Sequence, residues 1–283
     1  MYDFTACIVT YNTDQKELTQ IIGCFQKTKL KFKLWISDNS EKDTLRNFIK
    51  NFSDDRIEYI FNNSNNGFGS GHNIVLKKLM DDNFKEKAEF HIILNADIIF
   101  EENTIEKMID YMRKNPEIGQ IGPKIYESSG EVNKSCRLLP TPLNLIFRRF
   151  FPIKSIVDKM DYNYEMRWCD YNSIMEVPIL SGCLMFIRTD ILKNVGMFDT
   201  RYFMYMEDYD LCRRIGKKYK VVYYPEAEIF HEHGKASYKS KKMMMFHIKS
   251  AIRYFNKWGW FFDRERKIKN DGIRKKNDKK RNF

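Results

Sequence analysis

Thr5-Ala6-Cys7-Ile8-Val9-Thr10-Tyr11-Asn12 is a short, nearly continuous apolar run that gives way at once to polar side chains. A run apolar at odd and even positions alike predicts a strand covered on both faces, the habit of parallel sheets sandwiched by helices. Outward from it the pattern repeats. Leu18, Ile21, Ile22 and Phe25 recur at helical spacing, 32–38 and 57–61 read as further strands, 72–80 as a helix with Val75, Leu76 and Leu79 inward, and 90–94 as a fourth strand. Ile105, Met108, Ile109 and Met112 share one face of another helix, with Asn103 and Glu106 spaced as an N-cap pair. The periodicity fails over 126–176, where Pro140, Pro142 and Pro152 interrupt an aromatic and basic stretch, and this predicts a variable loop region beside the sheet. Order returns with a strand over 177–188 and a helix opening near Glu207. The architecture expected is α/β: a Rossmann-like, mostly parallel central sheet flanked by helices, with a C-terminal helical basic extension.

The chain of 283 residues is long enough for one such domain. Its net charge of +11 is concentrated, because 237–283 alone carries 16 Lys and Arg against 4 acids and the body is close to neutral. A nucleic-acid-binding protein would spread basic residues over a folded face, so the neutral body speaks against that class. Six cysteines lie far apart with no Cys-x-x-Cys pair, as expected of reduced core thiols. With no apolar stretch of spanning length and no basic or apolar leader before the first strand, the expectation is a cytoplasmic protein.

Ligands of open parallel sheets bind at the carboxyl ends of the strands. Four such ends are unusually polar: Thr10-Tyr11-Asn12, Asp38-Asn39-Ser40, the loop from Asn62 to Asn73, and Asn95-Ala96-Asp97. Each alone has ordinary turn composition; four together mark one edge of the sheet. Gly67, Gly69 and Gly71 offer close backbone approach and free N–H groups, which suits phosphates or hydroxyls. They follow the third strand and lack the G-x-G-x-x-G spacing, against a dinucleotide oxidoreductase. Asp97, at a strand end, suits a hard divalent cation shared with substrate phosphates, and equally a turn or cap. His231-Glu232-His233 puts two imidazoles on one face of a strand, an arrangement open to metal binding and to a structural role alike. Glu207, Asp208 and Asp210 favour a helix N-terminus electrostatically. The aromatic segment 198–205 before them is not patterned for burial, and a carboxylate beside a wall that can stack a sugar suits general-base work.

With these motifs the chain resembles glycosyltransferase family 2, and within it the rhamnosyltransferase-like enzymes of O-antigen and capsular polysaccharide synthesis. The matching residues are Ile8-Val9-Thr10-Tyr11-Asn12, Asp38-Asn39-Ser40, Asn66-Gly67-Phe68-Gly69 with Asn73, Leu94-Asn95-Ala96-Asp97, Ser181-Gly182-Cys183, Gly196-Met197-Phe198-Asp199, Tyr205 through Leu211, and Pro225 through His231 to Gly234 and Ser237. The resemblance implies a GT-A fold with a nucleotide-sugar-binding half at 1–97, an acceptor and catalytic half at 98–236, and the tail at 237–283. It implies that Thr10, Tyr11, Asn12 and Asp38 line the nucleotide pocket with Asn66 and Asn73 nearby. Asn95-Ala96-Asp97 stands for the family's Asp-x-Asp motif, with Asn95 against the nucleotide-sugar and Asp97 and His231 as ligands of Mg²⁺ or Mn²⁺. Asp208 is the base of an inverting displacement. Asn95 replaces the first motif acid, and Ala96 stands where the rhamnosyltransferase-like members usually have proline. The implied donor is dTDP-rhamnose, with other UDP- or dTDP-linked hexoses next. The implied acceptor is a glycan or a polyprenyl-diphosphate-linked sugar.

The aromatic and basic stretch 249–280 is expected to rest on the anionic inner face of the cytoplasmic membrane, making the protein peripheral there. The competing reading is a solvated tail on a helix packed against the domain. A non-catalytic sugar-nucleotide-binding or scaffold protein would keep Thr10, Asp38 and Asp97 and dispense with Asp208.

Overall fold

The computed structural model describes residues 2–147, 153–231 and 240–281, with side chains as far as Lys276. The first half alternates as expected: β1 (Phe4–Thr10), α1 (Gln15–Lys27), β2 (Phe32–Asp38), α2 (Arg46–Lys50), β3 (Ile57–Phe61), α3 (Phe68–Met80) and β4 (Phe90–Leu94). Then come β5 (Ile98–Phe100), α4 (Thr104–Lys114), β6 (Ile118–Glu127), α5 (Pro142–Leu145), α6 (Lys154–Tyr164) and β7 (Met175–Glu176). The chain continues with β8 (Leu184–Arg188), α7 (Leu192–Val195), α8 (Glu207–Ile215), β9 (Lys220–His231), α9 (Lys241–Trp258) and α10 (Arg264–Arg281).

The strands form one sheet in the order β3-β2-β1-β4-β8-β6-β9-β5, with β7 also on β9. From β3 to β4 all pairings are parallel, so Thr10, Asp38 and the residues after β3 and β4 emerge on one edge. Beyond β4 the sheet is mixed: β8 runs antiparallel to both neighbours, while β6 and β9 pair in parallel. The parallel half was legible because each strand is followed by a crossover helix; the mixed half has no such rhythm.

Alternate strand residues face opposite layers. Phe4, Ala6 and Ile8 turn with Leu34, Ile36, Ile92 and Leu94 toward α1 and α4. Cys7, Trp35, Ile93 and Met185 turn toward α3, α8 and α9. Both cores are closed to solvent. Two local expectations are corrected. Asn103 makes no capping bond through its side chain; Glu106, its expected partner, accepts from the Thr28 hydroxyl at 2.8 Å. The run at 177–188 is a strand only from Leu184, because the chain turns at Gly182 and Cys183.

The tail is helical, as expected, but it is built into the domain rather than appended to it. Tyr254 and Phe255 of α9 and Ile273 of α10 are core residues. Arg213 of α8 and Asp263, between the two tail helices, form an ion pair at 2.8 Å with side chains 1% and 3% exposed. Asp210, completely buried, is met by Arg214, Lys257 and the indole of Trp258 at 2.8, 2.6 and 2.9 Å. Asn270 donates to and accepts from the backbone of Leu139. The helix α8 is thus clamped by residues far along the chain. Helix continues to Arg281 through the densely charged end of the chain.

Candidate functional site

Asp38 ends β2 and is completely buried, yet every approach to it is filled. One carboxylate oxygen accepts from the Thr10 hydroxyl at 3.0 Å and from the amide and hydroxyl of Ser40 at 3.0 and 2.6 Å. The other accepts from the Tyr59 hydroxyl at 2.7 Å. Asn12, at φ +51°, places its amide on the Ser40 hydroxyl at 2.8 Å, which brings the first two motifs onto one another. Tyr11 projects from this edge, 46% exposed. Ser40 was part of the polar strand end read from the sequence; Tyr59 also belongs to this group and was not singled out, because it sits within an unremarkable strand.

The glycine loop does something other than hold phosphates. A Cβ on Gly67 would stand 2.0 Å from the carbonyl oxygen of Phe203, and one on Gly69 would stand 2.8 Å from Cβ of Phe198. The glycines let the segment 198–203 lie directly on α3. Asn73 locks it there, donating to the Phe198 carbonyl at 2.8 Å and accepting from its amide at 3.0 Å. Both ends of the Asn73 amide are therefore committed to backbone. Asn66 is exposed and donates to the Ser64 hydroxyl at 3.1 Å.

Asp97 follows β4, and β5 carries it against the end of β9. There the His231 imidazole lies 3.2 Å from a carboxylate oxygen of Asp97, with the two side chains 18% and 15% exposed. His233, the other imidazole of the motif, lies outside the described residues, as do Glu232, Gly234 and Ser237. Among the described residues no group of three His, Cys, Asp or Glu side chains gathers for a metal. One carboxylate and one imidazole facing each other at an open edge still fit Mg²⁺ or Mn²⁺, which take few protein ligands and fill the rest of their shell with substrate phosphates and water.

Asp208 lies at the start of α8. Its carboxylate accepts from the amide of Gly182 at 3.0 Å and from that of Tyr209 at 2.9 Å. Burial pushes its pKa up to about 6, against the restraint of those amides and the positive charge of Arg137. Glu207 beside it is buried, and burial and the negative charge of Asp208 raise its carboxyl well above the usual range. No hydrogen bond reaches its Oε2. The chain enters this helix through Tyr205 and Met206, both left-handed at φ +67° and +69°. Two consecutive non-glycine residues in that region cost about 1–3 kcal/mol each, strain of the kind concentrated at working sites.

The two acidic stretches converge through Ser181-Gly182-Cys183. Gly182 binds Asp208, and the carbonyl of Cys183 accepts from the amide of Asn95 at 2.9 Å, next to the Asp97 loop. The Cys183 thiol feels both sides: burial first, then the charges of Asp97 and Asp208 among the causes, push it up to about 12. A cavity of about 650 Å³ has a lining that includes Glu127, Asn133, Arg137, Glu165, Tyr209 and His247. Glu127 pairs with His231 across β6 and β9 and Tyr209 follows Asp208 in α8, so the lining borders the neighbours of both acidic stretches, while Asp97 and Asp208 themselves do not line it. Arg137 and Glu165 lie in the stretch without periodicity, where no spacing pointed to them.

Residues 5–196 match the family model described as Glycosyl transferase family 2. N-acetylglucosaminyl-diphospho-decaprenol L-rhamnosyltransferase of Mycobacterium tuberculosis is 33% identical over 145 residues, 50% of this chain and 46% of that protein. The match therefore spans about half the length of that relative. Rhamnosyltransferase WbbL of Escherichia coli is 24% identical over 230 residues, covering 79% of this chain and 81% of the relative. Among solved structures, GalNAc-T7 with UDP, GalNAc and Mn²⁺ superposes with a TM-score of 0.58 at 14% identity, over 83% of this chain and 44% of that one, a likeness of fold.

Proposed function

We propose, from the premise that the chain belongs to glycosyl transferase family 2, that it transfers a sugar from a nucleotide-sugar to an acceptor hydroxyl with inversion at the anomeric carbon. The observation that carries this reading is the approach of Asp97 and Asp208 to the same turn, Ser181-Gly182-Cys183, where Gly182 binds Asp208 and the Cys183 thiol feels both charges. Thr10, Tyr11, Asn12 and Asp38 form the nucleotide end, and Asn95, Asn66 and Asn73 shape the wall around the donor. Asp97 and His231 are the residues that would hold a divalent cation, which when bound would supply positive charge toward the departing diphosphate.

Asp208 removes the acceptor proton as the acceptor oxygen bonds to the anomeric carbon and the bond from that carbon to the β-phosphate oxygen breaks. The nucleoside diphosphate departs on the opposite side. A carboxyl with a pKa near 6 is ionised at neutral pH and basic enough to take the proton. The mixed carboxylates, amide and guanidinium of the cavity suit the hydroxyls of an acceptor sugar.

The names of two relatives favour rhamnose as the sugar moved, and the family resemblance adds dTDP as its carrier, ahead of other UDP- or dTDP-linked hexoses. The mycobacterial name favours an acceptor sugar on a polyprenyl diphosphate, which would place the protein on the cytoplasmic face of the membrane. Among the described residues no helix is long and apolar enough to cross a membrane. Thermal unfolding against a panel of nucleotide-sugars, with and without Mn²⁺, tests the reading, since a ligand of the native state alone raises Tm. Stabilisation by no member of the panel would remove it. A scaffold would be stabilised by the donor and would lack turnover that depends on Asp208.

A further inference from the structure

Phe261 and Phe262, at the turn between α9 and α10, are 72% and 99% exposed on a loop that is otherwise held fast. The turn is set by Gly259 at φ +98°, a conformation side-chain-bearing residues rarely adopt. Trp260 packs on Phe255 with ring centroids 5.2 Å apart and donates to Asn256 at 2.8 Å. The buried guanidinium of Arg266 donates to the carbonyls of Trp260 and Phe261 at 3.1 and 3.2 Å, and to that of Pro140 at 3.1 Å. On the far side, Asp263 is the partner of Arg213. The backbone is fixed, and two adjacent aromatic rings are presented outward by it.

Of the aromatic residues in the tail, Tyr254 and Phe255 are core and Trp258 and Trp260 pack against it. The surface contact expected of the whole stretch therefore narrows to this tip. The charge around the tip is sorted. Lys249, Arg253, Arg264 and Lys267 are exposed, with Ile252 and Ile268 among them, and their spacing puts each set on one stripe of its helix. Among the described residues, the acids of these helices and their turn are already engaged: Asp263 and Glu265 by Arg213, and Asp271 by Arg274. A rigid apolar tip with exposed cations along the helices on both sides of it matches the interface of an anionic bilayer, where rings enter the headgroup region and Lys and Arg meet phosphates.

We infer that the α9–α10 turn is the membrane-seating edge of the protein, with Phe261 and Phe262 inserted and the flanking cations on anionic lipid. This rests on the reading that the acceptor is held at a membrane. Its test uses neither donor nor acceptor, so the two fail separately.

The full chain is sedimented with vesicles of phosphatidylcholine alone and with about one third phosphatidylglycerol. Binding to the anionic vesicles only, weakened by salt and about tenfold weaker in the Phe261→Ser/Phe262→Ser variant, is the expected result. The exposed serines leave Tm unchanged, which separates lost insertion from lost folding. Lys249→Glu/Arg264→Glu/Lys267→Glu abolishes binding. Absence of binding, or binding indifferent to the phenylalanines, overturns the inference. So does self-association of the free protein that the serine variant removes, or a single-stranded oligonucleotide bound as tightly with the same dependence on Phe261 and Phe262.

Discussion

The amide of Gly182 donates to a carboxylate oxygen of Asp208 at 3.0 Å, and a Cβ on residue 182 would fall 2.9 Å from that same oxygen. Only glycine leaves the base where it is. Gly182→Ala displaces the carboxylate, lowering kcat by at least about tenfold and stability by about 1–3 kcal/mol. Asp208→Asn keeps the shape and removes the base, so kcat falls about 10²–10⁴-fold. Because the variant also removes a buried charge, its Tm holds or rises. Steady-state kinetics beside thermal unfolding separates the two; turnover retained by Asp208→Asn would exclude it as the base.

Activity depends on the ionised form of Asp208, so kcat/KM rises with pH through about 6 and levels above it. Stability runs the other way. The folded protein holds this proton more tightly than the unfolded chain, so the contribution is full below the usual aspartate range and is lost as pH rises through about 6. In a pH series of denaturation midpoints the slope shrinks in Asp208→Asn and leaves the share of Glu207, whose carboxyl is raised as well; a slope unchanged by the substitution assigns the whole effect to other groups.

Removal of metal separates Asp97 and His231 from the nucleotide end. Chelation, or Asp97→Asn, abolishes the rise in Tm that Mn²⁺ adds to the nucleotide-sugar and leaves the fold intact. His231→Ala weakens it. Calorimetric titration of Mn²⁺ with a nucleoside diphosphate reads the effect directly; full affinity in Asp97→Asn would detach this residue from the metal.

Asp263→Ala leaves the Arg213 guanidinium buried, with only partly exposed Glu265 opposite it, and destabilises the protein by about 3–5 kcal/mol. Replacing both partners with apolar residues of matching size recovers much of the loss. Urea denaturation of the two variants is the comparison.

Asn73→Ala frees both backbone groups of Phe198 and costs about 1–3 kcal/mol. On the proposed assignment of Asn73 to the donor wall, the donor KM rises more than the acceptor KM; kinetic titration of each substrate at saturation of the other distinguishes them.

The first four strands were readable because their residues alternate between two buried layers and each strand is followed by a helix of clear periodicity. Asp38, Asp97 and Asp208 were readable as carboxylates at the ends of such elements. Their partners were not: Tyr59 reaches Asp38 from mid-strand, and Arg137 reaches the Asp208 region from a segment without period. Gly67 and Gly69 looked like a phosphate cradle because sequence shows that a backbone is bare, not what lies against it. Asn73 carried a motif signal that the structure accounts for by two bonds to Phe198. The tail deceived for a related reason: Tyr254 and Phe262 look alike in sequence, and only the packing of α9 onto α8 puts one inside and leaves the other out.

The clamp on α8 has a consequence for biosynthesis. The parallel strands and the Asp38 cluster lie within the first third of the chain and can assemble while translation continues. The helix bearing Asp208 gains Lys257, Asp263 and the Arg266-braced turn only after the ribosome has passed them. A nascent chain can thus close the Asp38 cluster before the contacts that steady Asp208 exist, and on the proposed function it would bind a nucleotide before it could turn over.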